Sequence, residues 1–383
     1  MIKSQKTEKY RNKLVESLLR QKIIKKVEIE KAFRKVKREL FLPNFPLSEV
    51  YADASVITKT IGITPVSSST SPSLMASMLE ILDLKSGHKV LEIGTGTGYN
   101  AAILTEIAGK QENVYSLDID KKTVTEATKY LNNAGYQKIN LLCRDGAKGW
   151  PEKIKFDRII FTASVKKIPL KVIDQLKVGG LVVLPLWING TQITPALIKK
   201  KNGTLVSQST TIGGFMPLRK KTINQILNHS KFKNHKESIL ICSEKPKYFN
   251  YEKLVKLLKT KPKIIKTNFK KITLPRAGNF FRFLATQEPK SVEIFIEKPI
   301  KSLFLQNSGA GIIDLVHNSA CLFTEKNQIQ LYGGDLAFDK ISKMYQKWVN
   351  LDFPDFNRFN FKFSKDCSQY SLSTDKIKEV KKN

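Results

Sequence analysis

The residues with the clearest chemical pattern are three glycines at alternate positions, Gly94, Gly96 and Gly98. They follow an apolar run at Val90–Ile93 that indicates a buried strand, and they precede an alanine-rich run that indicates the start of a helix. Glycine adopts positive φ angles and lets a ligand lie against bare backbone. A strand, a glycine turn and a helix in this order predict the first unit of a nucleotide-binding α/β fold.

Acidic residues follow at the ends of the next predicted strands. Asp118 ends a strand over residues 113–118, about twenty residues beyond Gly98, a spacing that suits a carboxylate accepting hydrogen bonds from both hydroxyls of a ribose. Because position and chemistry agree, this role is favoured over a solvated turn acid beside Asp120. Asp145 and Gly146 follow a third strand over 139–143, where the carboxylate can accept from an adenine amino group. With a fourth strand over 157–162, the pattern predicts a ligand site at the carboxyl edge of the sheet.

The glycine spacing favours one cofactor. It is G-x-G-x-G, with Glu92 before it, rather than the G-x-G-x-x-G of dinucleotide sites. This combination is typical of methyltransferases that use S-adenosylmethionine, a ligand with no pyrophosphate to bind. Glu92 has two interpretations of equal weight, shaping the turn or engaging the ammonium group of the cofactor. The residues predicted to bind S-adenosylmethionine are Glu92, Gly94, Thr95, Gly96, Gly98, Asp118, Ile119, Asp145 and Gly146.

A hydroxyl-rich segment, residues 67–73, stands before a helix predicted over 74–82 and is expected to be a loop. Ser71 or a neighbour would cap that helix, with Pro72 in its first turn. Another hydroxyl would point across the carboxyl edge of the sheet and bind a substrate. The sequence does not separate capping from substrate binding.

Length, composition and charge restrict the number of domains and the kinds of partner that the chain can have. A chain of 383 residues predicts two domains, and 41% hydrophobic residues are enough for full cores. The 66 basic residues exceed the 34 acidic ones, giving a formal net charge of +32. Such a charge is compatible with binding of nucleic acid or of an anionic membrane. Nucleic acid is nevertheless disfavoured, because only ten of the basic residues are arginine and the lysines are spread along the whole chain.

The cysteines and histidines indicate neither a metal site nor a disulfide framework. The four cysteines and four histidines are scattered, with no C-x-x-C pair. The charged N-terminus has no apolar signal core, and no apolar run approaches the length that spans a membrane. The sequence therefore predicts a cytoplasmic protein without a metal and without membrane association, and it does not indicate an oligomeric state.

Four regions are predicted along the chain. Residues 1–220 form the cofactor-binding domain, which begins with a cap of two amphipathic helices over about 8–25 and 27–36. Residues 221–236, rich in lysine and asparagine, form a linker. Residues 237–370 form a second α+β domain, with strands over 239–242, 292–296 and 302–305, a hairpin over 320–333 and a helix over 337–349. Residues 371–383 form a charged tail.

Five segments of the first region carry a resemblance to a known family. They are residues 32–43 with Tyr51 and Asp53 after them, residues 70–76, residues 90–101, residues 144–180 and residues 215–218. Together they resemble the protein-L-isoaspartate (D-aspartate) O-methyltransferase family, over about residues 10–218. The second region resembles the C-terminal extension of some bacterial, thermophile-type members. The glycine turn is generic, whereas the helical cap with the hydroxyl segment is specific to this family.

The resemblance implies a Rossmann-like fold and methyl transfer from S-adenosylmethionine to the free carboxylate of L-isoaspartyl or D-aspartyl residues. The ester then closes to a succinimide, which begins repair of aged proteins. Thr70 stands where the family has a serine, so the role stays with Thr70 or passes to Ser69 or Ser71. Two alternatives remain, carboxyl methylation of a dedicated peptide or protein partner and methylation of RNA. The sequence contains no base-flipping motif and no catalytic cysteine loop, which disfavours RNA.

Overall fold

The chain separates into two compact units in the computed structural model. The first unit comprises Met1–Leu186, Thr194–Ile223 and Phe361–Ser371, and the second comprises Trp187–Ile193, Asn224–Asn360 and Leu372–Asn383. The structure describes residues 2–61, 64–188, 191–219, 233–234, 237–242, 250–266, 269, 276–296, 303–305, 308–324, 328–355 and 358–373.

The secondary-structure elements are numbered in chain order. The α-helices are α1 (Ile2–Arg20), α2 (Val27–Lys35), α3 (Leu47–Val50), α4 (Pro72–Leu82), α5 (Tyr99–Ala108), α6 (Lys121–Asn133), α7 (Leu170–Asp174), α8 (Tyr251–Leu258), α9 (Arg276–Gln287) and α10 (Leu336–Asn350). The strands are β1 (Val56–Ile61), β2 (Thr64–Ser69), β3 (Val90–Ile93), β4 (Val114–Asp118), β5 (Asn140–Cys143), β6 (Phe156–Phe161), β7 (Leu176–Val183), β8 (Leu186–Ile188), β9 (Thr191–Lys199), β10 (Leu205–Thr211), β11 (Lys233–Asn234), β12 (Glu237–Cys242), β13 (Lys263–Ile265), β14 (Ser291–Ile296), β15 (Ser308–Asp314), β16 (Ser319–Thr324), β17 (Ile329–Gly333), β18 (Asn360–Phe363) and β19 (Tyr370–Ser373).

The predicted N-terminal cap is present as α1 and α2. Each helix buries its apolar side, which includes Leu14 and Leu18 on α1 and Phe33 on α2. These side chains share one core with α5, where the Phe33 and Tyr99 rings meet edge to face at 6.4 Å. The helix pair therefore packs directly against the helix that follows the glycine turn.

The central sheet has the Rossmann-like arrangement. Its parallel strands lie in the order β7-β6-β3-β4-β5, and β9, β10 and β18 extend it antiparallel beyond β7. Strand β3 lies between β4 and β6, because the chain runs outward from β3 through β4 to β5 and then returns to the other side of β3 as β6. Open α/β sheets bind ligands at this reversal, at the carboxyl ends of the strands.

The hydroxyl segment differs from the expected loop. Residues Thr64–Ser69 form strand β2, which pairs antiparallel with β1 in a separate two-stranded ribbon. Ser71 occupies the N-cap position of α4, but its side chain makes no capping hydrogen bond. Instead the Asp53 carboxylate accepts a hydrogen bond from the Ser73 N–H at 2.9 Å. Because capping comes from a distant carboxylate, the predicted hydroxyl cap is wrong.

The second unit is an α+β fold, as predicted. Its antiparallel sheet has the strand order β11-β12-β14-β15-β16-β17-β13. A core that includes Ile294, Leu322 and Tyr332 joins this sheet to α8. Of the strand predicted over 302–305, the described residues Leu303–Leu305 belong to no strand, although Leu303 and Leu305 are buried. Alternating burial there arises without a partner strand.

The units do not divide at one point of the sequence. The predicted second region includes residues 361–370, yet β18 pairs with β10 and Phe361–Ser371 belongs to the first unit. The predicted linker lies outside the described residues except for β11. The predicted tail begins within β19, and its residues 374–383 lie outside the described part. No helix in the described residues is long and apolar enough to cross a membrane.

Candidate active site

A cavity of about 390 Å³ lies at the carboxyl edge of the central sheet of the first unit. Its walls come from the ribbon β1–β2, the glycine turn, the ends of β4 and β6, and residues 214–219. This volume is in the range of sites for small molecules and cofactors. The predicted site residues that line it are Ser69, Thr70, Gly94, Thr95, Gly96, Asp118, Ile119 and Gly146. The predicted site residues outside its lining are Ser71, Glu92, Gly98 and Asp145.

The glycine turn has two positions where a side chain is excluded. Gly94 has φ of +110°, and a Cβ built there would lie 2.3 Å from Thr162 Oγ1, a hydroxyl that donates to the Gly94 carbonyl at 2.6 Å. Gly98 has φ of +85° and begins α5, where a Cβ would lie 3.0 Å from Leu131. Gly98 therefore allows α5 to pack against α6, whereas Gly94 shapes the cavity.

Asp118 lies at the end of β4 with its carboxylate at the cavity. The carboxylate accepts hydrogen bonds from the backbone N–H groups of Gly96 and Asp120, both at 3.1 Å. Burial raises the pKa of Asp118, and these two N–H groups together with the charge of Arg219 oppose the rise. Each carboxylate oxygen still has a lone pair available, so Asp118 can accept from two ligand hydroxyls.

Glu92 lies beneath the glycine turn and not in the cavity wall. Its side chain is fully buried and accepts from Asn100 Nδ2 at 2.7 Å and from Ser116 Oγ at 2.6 Å. The Ser116 hydroxyl is also hydrogen-bonded to that of Thr95 at 2.7 Å. Burial raises the pKa of Glu92 to about 7. These contacts favour the shaping of the turn over direct engagement of a cofactor.

Asn100 is a site residue that the sequence did not indicate. It lines the cavity, and because its amide nitrogen donates to Glu92, its carbonyl oxygen points elsewhere. That oxygen is buried and has no hydrogen-bond partner among the described residues. A buried acceptor without a partner is costly, so a bound donor such as an ammonium group would satisfy it.

The three candidate hydroxyls occupy different environments. Ser69 is 5% exposed, lines the cavity and accepts a hydrogen bond from Arg38 Nη2 at 3.2 Å. Thr70 also lines the cavity, and its carbonyl accepts from the same nitrogen at 3.1 Å. Ser71 is outside the lining, where its N–H donates to Ser55 Oγ at 3.2 Å. The cavity thus brings together Ser69 and Thr70 but not Ser71.

Of the two residues predicted at the end of β5, Asp145 and Gly146, only one lines the cavity. Asp145 accepts a hydrogen bond from the Ala147 N–H at 3.0 Å, which caps a short 3₁₀ helix, Gly146–Lys148. Gly146 lines the cavity and Asp145 does not. The Asp145 carboxylate therefore binds the backbone of the short helix that follows it.

Residues 214–219 close the cavity on the side of β6. The Ser164 N–H donates to the Met216 carbonyl at 2.8 Å, and the Leu218 N–H donates to the Ser164 carbonyl at 2.7 Å. Ser164 Oγ also donates to the Phe215 carbonyl at 3.1 Å. Residues 215–218 carry part of the family resemblance, but no local sequence pattern predicts that they line the site.

The fold and this site define a methyltransferase that uses S-adenosylmethionine. The residues present fit that cofactor, since Asp118 offers a carboxylate to ribose hydroxyls and the buried Asn100 oxygen lacks a donor. Within the described ranges, no group of three or more histidine, cysteine, aspartate or glutamate side chains could hold a metal ion.

The chain belongs to the protein-L-isoaspartate(D-aspartate) O-methyltransferase (PCMT) family, whose sequence profile matches residues 8–223. It is 34% identical over 212 residues to the protein-L-isoaspartate O-methyltransferase of Ignicoccus hospitalis, covering 55% of this chain and 98% of that one. It is 36% identical over 192 residues to the enzyme of the same name from Fervidobacterium nodosum, covering 50% and 94%. A solved protein-L-isoaspartate O-methyltransferase has a similar fold over 95% of this chain and 99% of its own, with a TM-score of 0.54 and 22% identity.

Proposed function

We propose that the protein transfers a methyl group from S-adenosylmethionine to the free carboxylate of L-isoaspartyl or D-aspartyl residues in damaged proteins. The resulting ester would close to a succinimide and so begin repair. The observation that carries this proposal is that Ser69 and Thr70 line the same cavity as Asp118 and the glycine turn. Two hydroxyls that can hold a carboxylate therefore share one space with the cofactor groups.

We infer separate roles for the cofactor residues. Asp118 accepts from the ribose hydroxyls, and the Asn100 oxygen accepts from the ammonium group. Gly146 borders the adenine end, and the turn of Gly94 and Gly96 leaves room for the methionyl part. Glu92 acts indirectly, because its carboxylate holds the Asn100 amide at 2.7 Å. When bound, S-adenosylmethionine supplies an electrophilic methyl group.

The substrate needs orientation rather than a general base. A carboxylate with a pKa near 4 is already ionised at neutral pH, so no proton has to be removed from the nucleophile. The hydroxyls of Ser69 and Thr70 would donate hydrogen bonds that fix the direction of the attacking oxygen. The ribbon β1–β2 and residues 214–219 wall the cavity and limit the water around it. Positioning and exclusion of water therefore carry the catalysis.

Transfer of labelled methyl groups tests this proposal. The substrates are an isoaspartyl peptide, its normal aspartyl counterpart and bulk tRNA, and we expect base-labile label on the isoaspartyl peptide alone. Ser69→Ala and Thr70→Val each remove one donor to a charged group, so we expect kcat/KM to fall about 10- to 100-fold. Ser71→Ala is the matched control and should stay near wild type, because Ser71 is outside the cavity lining.

Other outcomes would redirect the proposal. Label on tRNA with none on either peptide would overturn it in favour of RNA methylation. Label on one cellular protein, with none on isoaspartyl peptides, would favour a dedicated partner. Loss of activity in Ser71→Ala alone would contradict the assignment of the hydroxyls. We place this activity in the cytoplasm, with proteins rather than nucleic acids or membranes as partners.

A further inference from the structure

Arg38 is a buried cation behind the hydroxyl segment that the proposed mechanism does not use. Its side chain is completely buried, and its guanidinium lies over the Tyr99 ring with 5.3 Å between Cζ and the ring centroid. Nη2 donates to Ser69 Oγ and to the Thr70 carbonyl, whereas Nε and Nη1 have no hydrogen-bond partner among the described residues. Buried charges in proteins are normally paired, so this arrangement calls for an explanation.

The charge of Arg38 is not neutralised by the described protein. Its hydrogen bonds go to a hydroxyl and a carbonyl. Among the described residues, no carboxylate forms an ion pair with Arg38. Asp53 acts on it only through space, and the Asp53 carboxylate accepts from the Ser73 N–H. The neighbouring Glu39 is 3.8 Å from Arg11 Nη1 and is hydrogen-bonded to the Tyr51 hydroxyl. Within the described residues, the site therefore holds a buried positive charge without an ion-pair partner, directly behind Ser69 and Thr70.

The hydrogen bond to Ser69 fixes the direction of its hydroxyl. Arg38 Nη2 donates to Ser69 Oγ, so the Ser69 hydrogen must point away from the guanidinium. Ser69 is a wall of the cavity, so that hydrogen is available to a ligand there. A hydroxyl that accepts from a cation is polarised and becomes a better donor.

We propose that Arg38 is a positioning residue that orients Ser69 toward the substrate and makes the site select an anionic acceptor group. This inference rests on the proposed function, because the anion in question is the substrate carboxylate. Arg38 does not touch the carboxylate; it acts through Ser69, through the carbonyl of Thr70 and through its charge. A neutral group of the same shape would leave the buried charge uncompensated and would bind less well.

The test measures preference for charge, separately from methyl transfer. Two competitors are compared, the isoaspartyl peptide and the same peptide with its free carboxylate replaced by a carboxamide. Their dissociation constants are measured, with S-adenosylhomocysteine in place of the methyl donor, on wild type, Arg38→Met, Arg38→Lys and Arg11→Met. Arg11 is the matched control, because it is a buried arginine of the helical cap that lies near Glu39. Binding of S-adenosylhomocysteine reports whether each variant keeps its cofactor site.

We expect wild type to bind the carboxylate at least about tenfold more tightly than the carboxamide, as for a hydrogen bond to a charged group. Arg38→Met should reduce that ratio to near one while binding of S-adenosylhomocysteine stays within about threefold. Arg38→Lys keeps the charge and should retain most of the preference, and Arg11→Met should leave the ratio unchanged.

Three results would overturn the inference. A wild-type protein that methylates the isoaspartyl peptide but binds both competitors equally contradicts it without any variant, even if Arg38→Met does not fold. An unchanged ratio in a folded Arg38→Met contradicts it as well. A wild type that neither methylates the isoaspartyl peptide nor binds either competitor overturns the proposed function together with this inference.

Discussion

Polar side chains in two layers build the site, and they have different tasks. Asp118, Asn100, Ser69 and Thr70 line the cavity and can contact ligands. Glu92 and Arg38 lie behind them, fully buried, and each holds a lining residue by hydrogen bonds. Burial disfavours the charged form of both side chains. The pKa of Glu92 therefore rises, while that of Arg38 falls.

Replacement of Glu92 by glutamine should change how stability depends on pH. The pKa of Glu92 is raised in the folded protein to about 7, from a model-peptide value of 4.5, so the folded state binds the extra proton between these pH values. Stability from this group is fully present below about pH 4.5 and is lost as pH rises through 7. The free energy of unfolding of wild type should therefore fall between pH 5 and 8 relative to Glu92→Gln, by up to about 3 kcal/mol. Denaturant unfolding at both pH values measures this, and parallel pH curves would contradict it.

The element that organises the site is the strand, turn and helix of β3 and α5. Gly94 joins β3 to the turn, and the Thr162 hydroxyl from the end of β6 donates to its carbonyl. On the opposite wall, the ribbon β1–β2 is separate from the central sheet, and Lys59 of β1 is paired with Asp120 at 2.8 Å. A two-stranded ribbon is marginally stable alone, so this ion pair and the Arg38 hydrogen bonds help to fix its position.

Replacement of Gly94 by alanine should damage cofactor binding beyond backbone strain. The added Cβ would meet Thr162 Oγ1 at 2.3 Å, and φ of +110° disfavours any side chain. Gly135→Ala is the matched control, since its φ is +88° but no atom lies within 4 Å of the added Cβ. Both variants should lose about 1–2 kcal/mol of stability from strain. Calorimetry should show at least tenfold weaker binding of S-adenosylhomocysteine in Gly94→Ala alone, and equal losses in both variants would refute the steric argument.

At the scale of the whole molecule, the first unit depends on a strand from near the end of the chain. Strand β18 pairs with β10, and the Phe361 N–H donates to Ser207 Oγ at 2.7 Å. The Phe361 side chain is completely buried. The central sheet therefore includes a strand that follows the longest segment of the second unit, Asn224–Asn360, in sequence.

Truncation of Phe361 should show how much this strand contributes. Phe361→Ala leaves a cavity in a buried site, so we expect a loss of about 3–5 kcal/mol in the free energy of unfolding. Phe304→Ala is the control in the second unit, where the side chain is 45% exposed, and should change stability by about 0.5 kcal/mol or less. Denaturant unfolding compares them, and similar small losses would mean that β18 contributes little.

The net charge of +32 leads to a further prediction for the whole molecule. We expect any association with bulk tRNA to be non-specific and through its phosphates, with an affinity that falls at least about tenfold between 50 and 200 mM salt. No methyl group should be transferred to the RNA at either salt concentration. Titration of labelled tRNA measures the binding, and transfer of label in the same mixtures would show that the charge serves a different substrate.

The sequence by itself determined the parts of this protein that follow local rules. The glycine spacing, the apolar run of β3 and the position of Asp118 at the end of β4 predicted the sheet, its ligand edge and the class of cofactor. These features are readable because strand periodicity, glycine turns and strand ends depend on residues close together in the chain. The family resemblance added the substrate and the substrate-binding role of the hydroxyl segment.

Only the tertiary structure decided which polar groups face the cavity. It placed Glu92 beneath the turn and Arg38 behind Ser69, and it paired β18 with β10 although the longest segment of the second unit lies between them in sequence. It also turned the expected hydroxyl loop into a strand and supplied the cap of α4 from Asp53. Each of these depends on partners far away in sequence, and such contacts leave no periodic signal in the residues that make them.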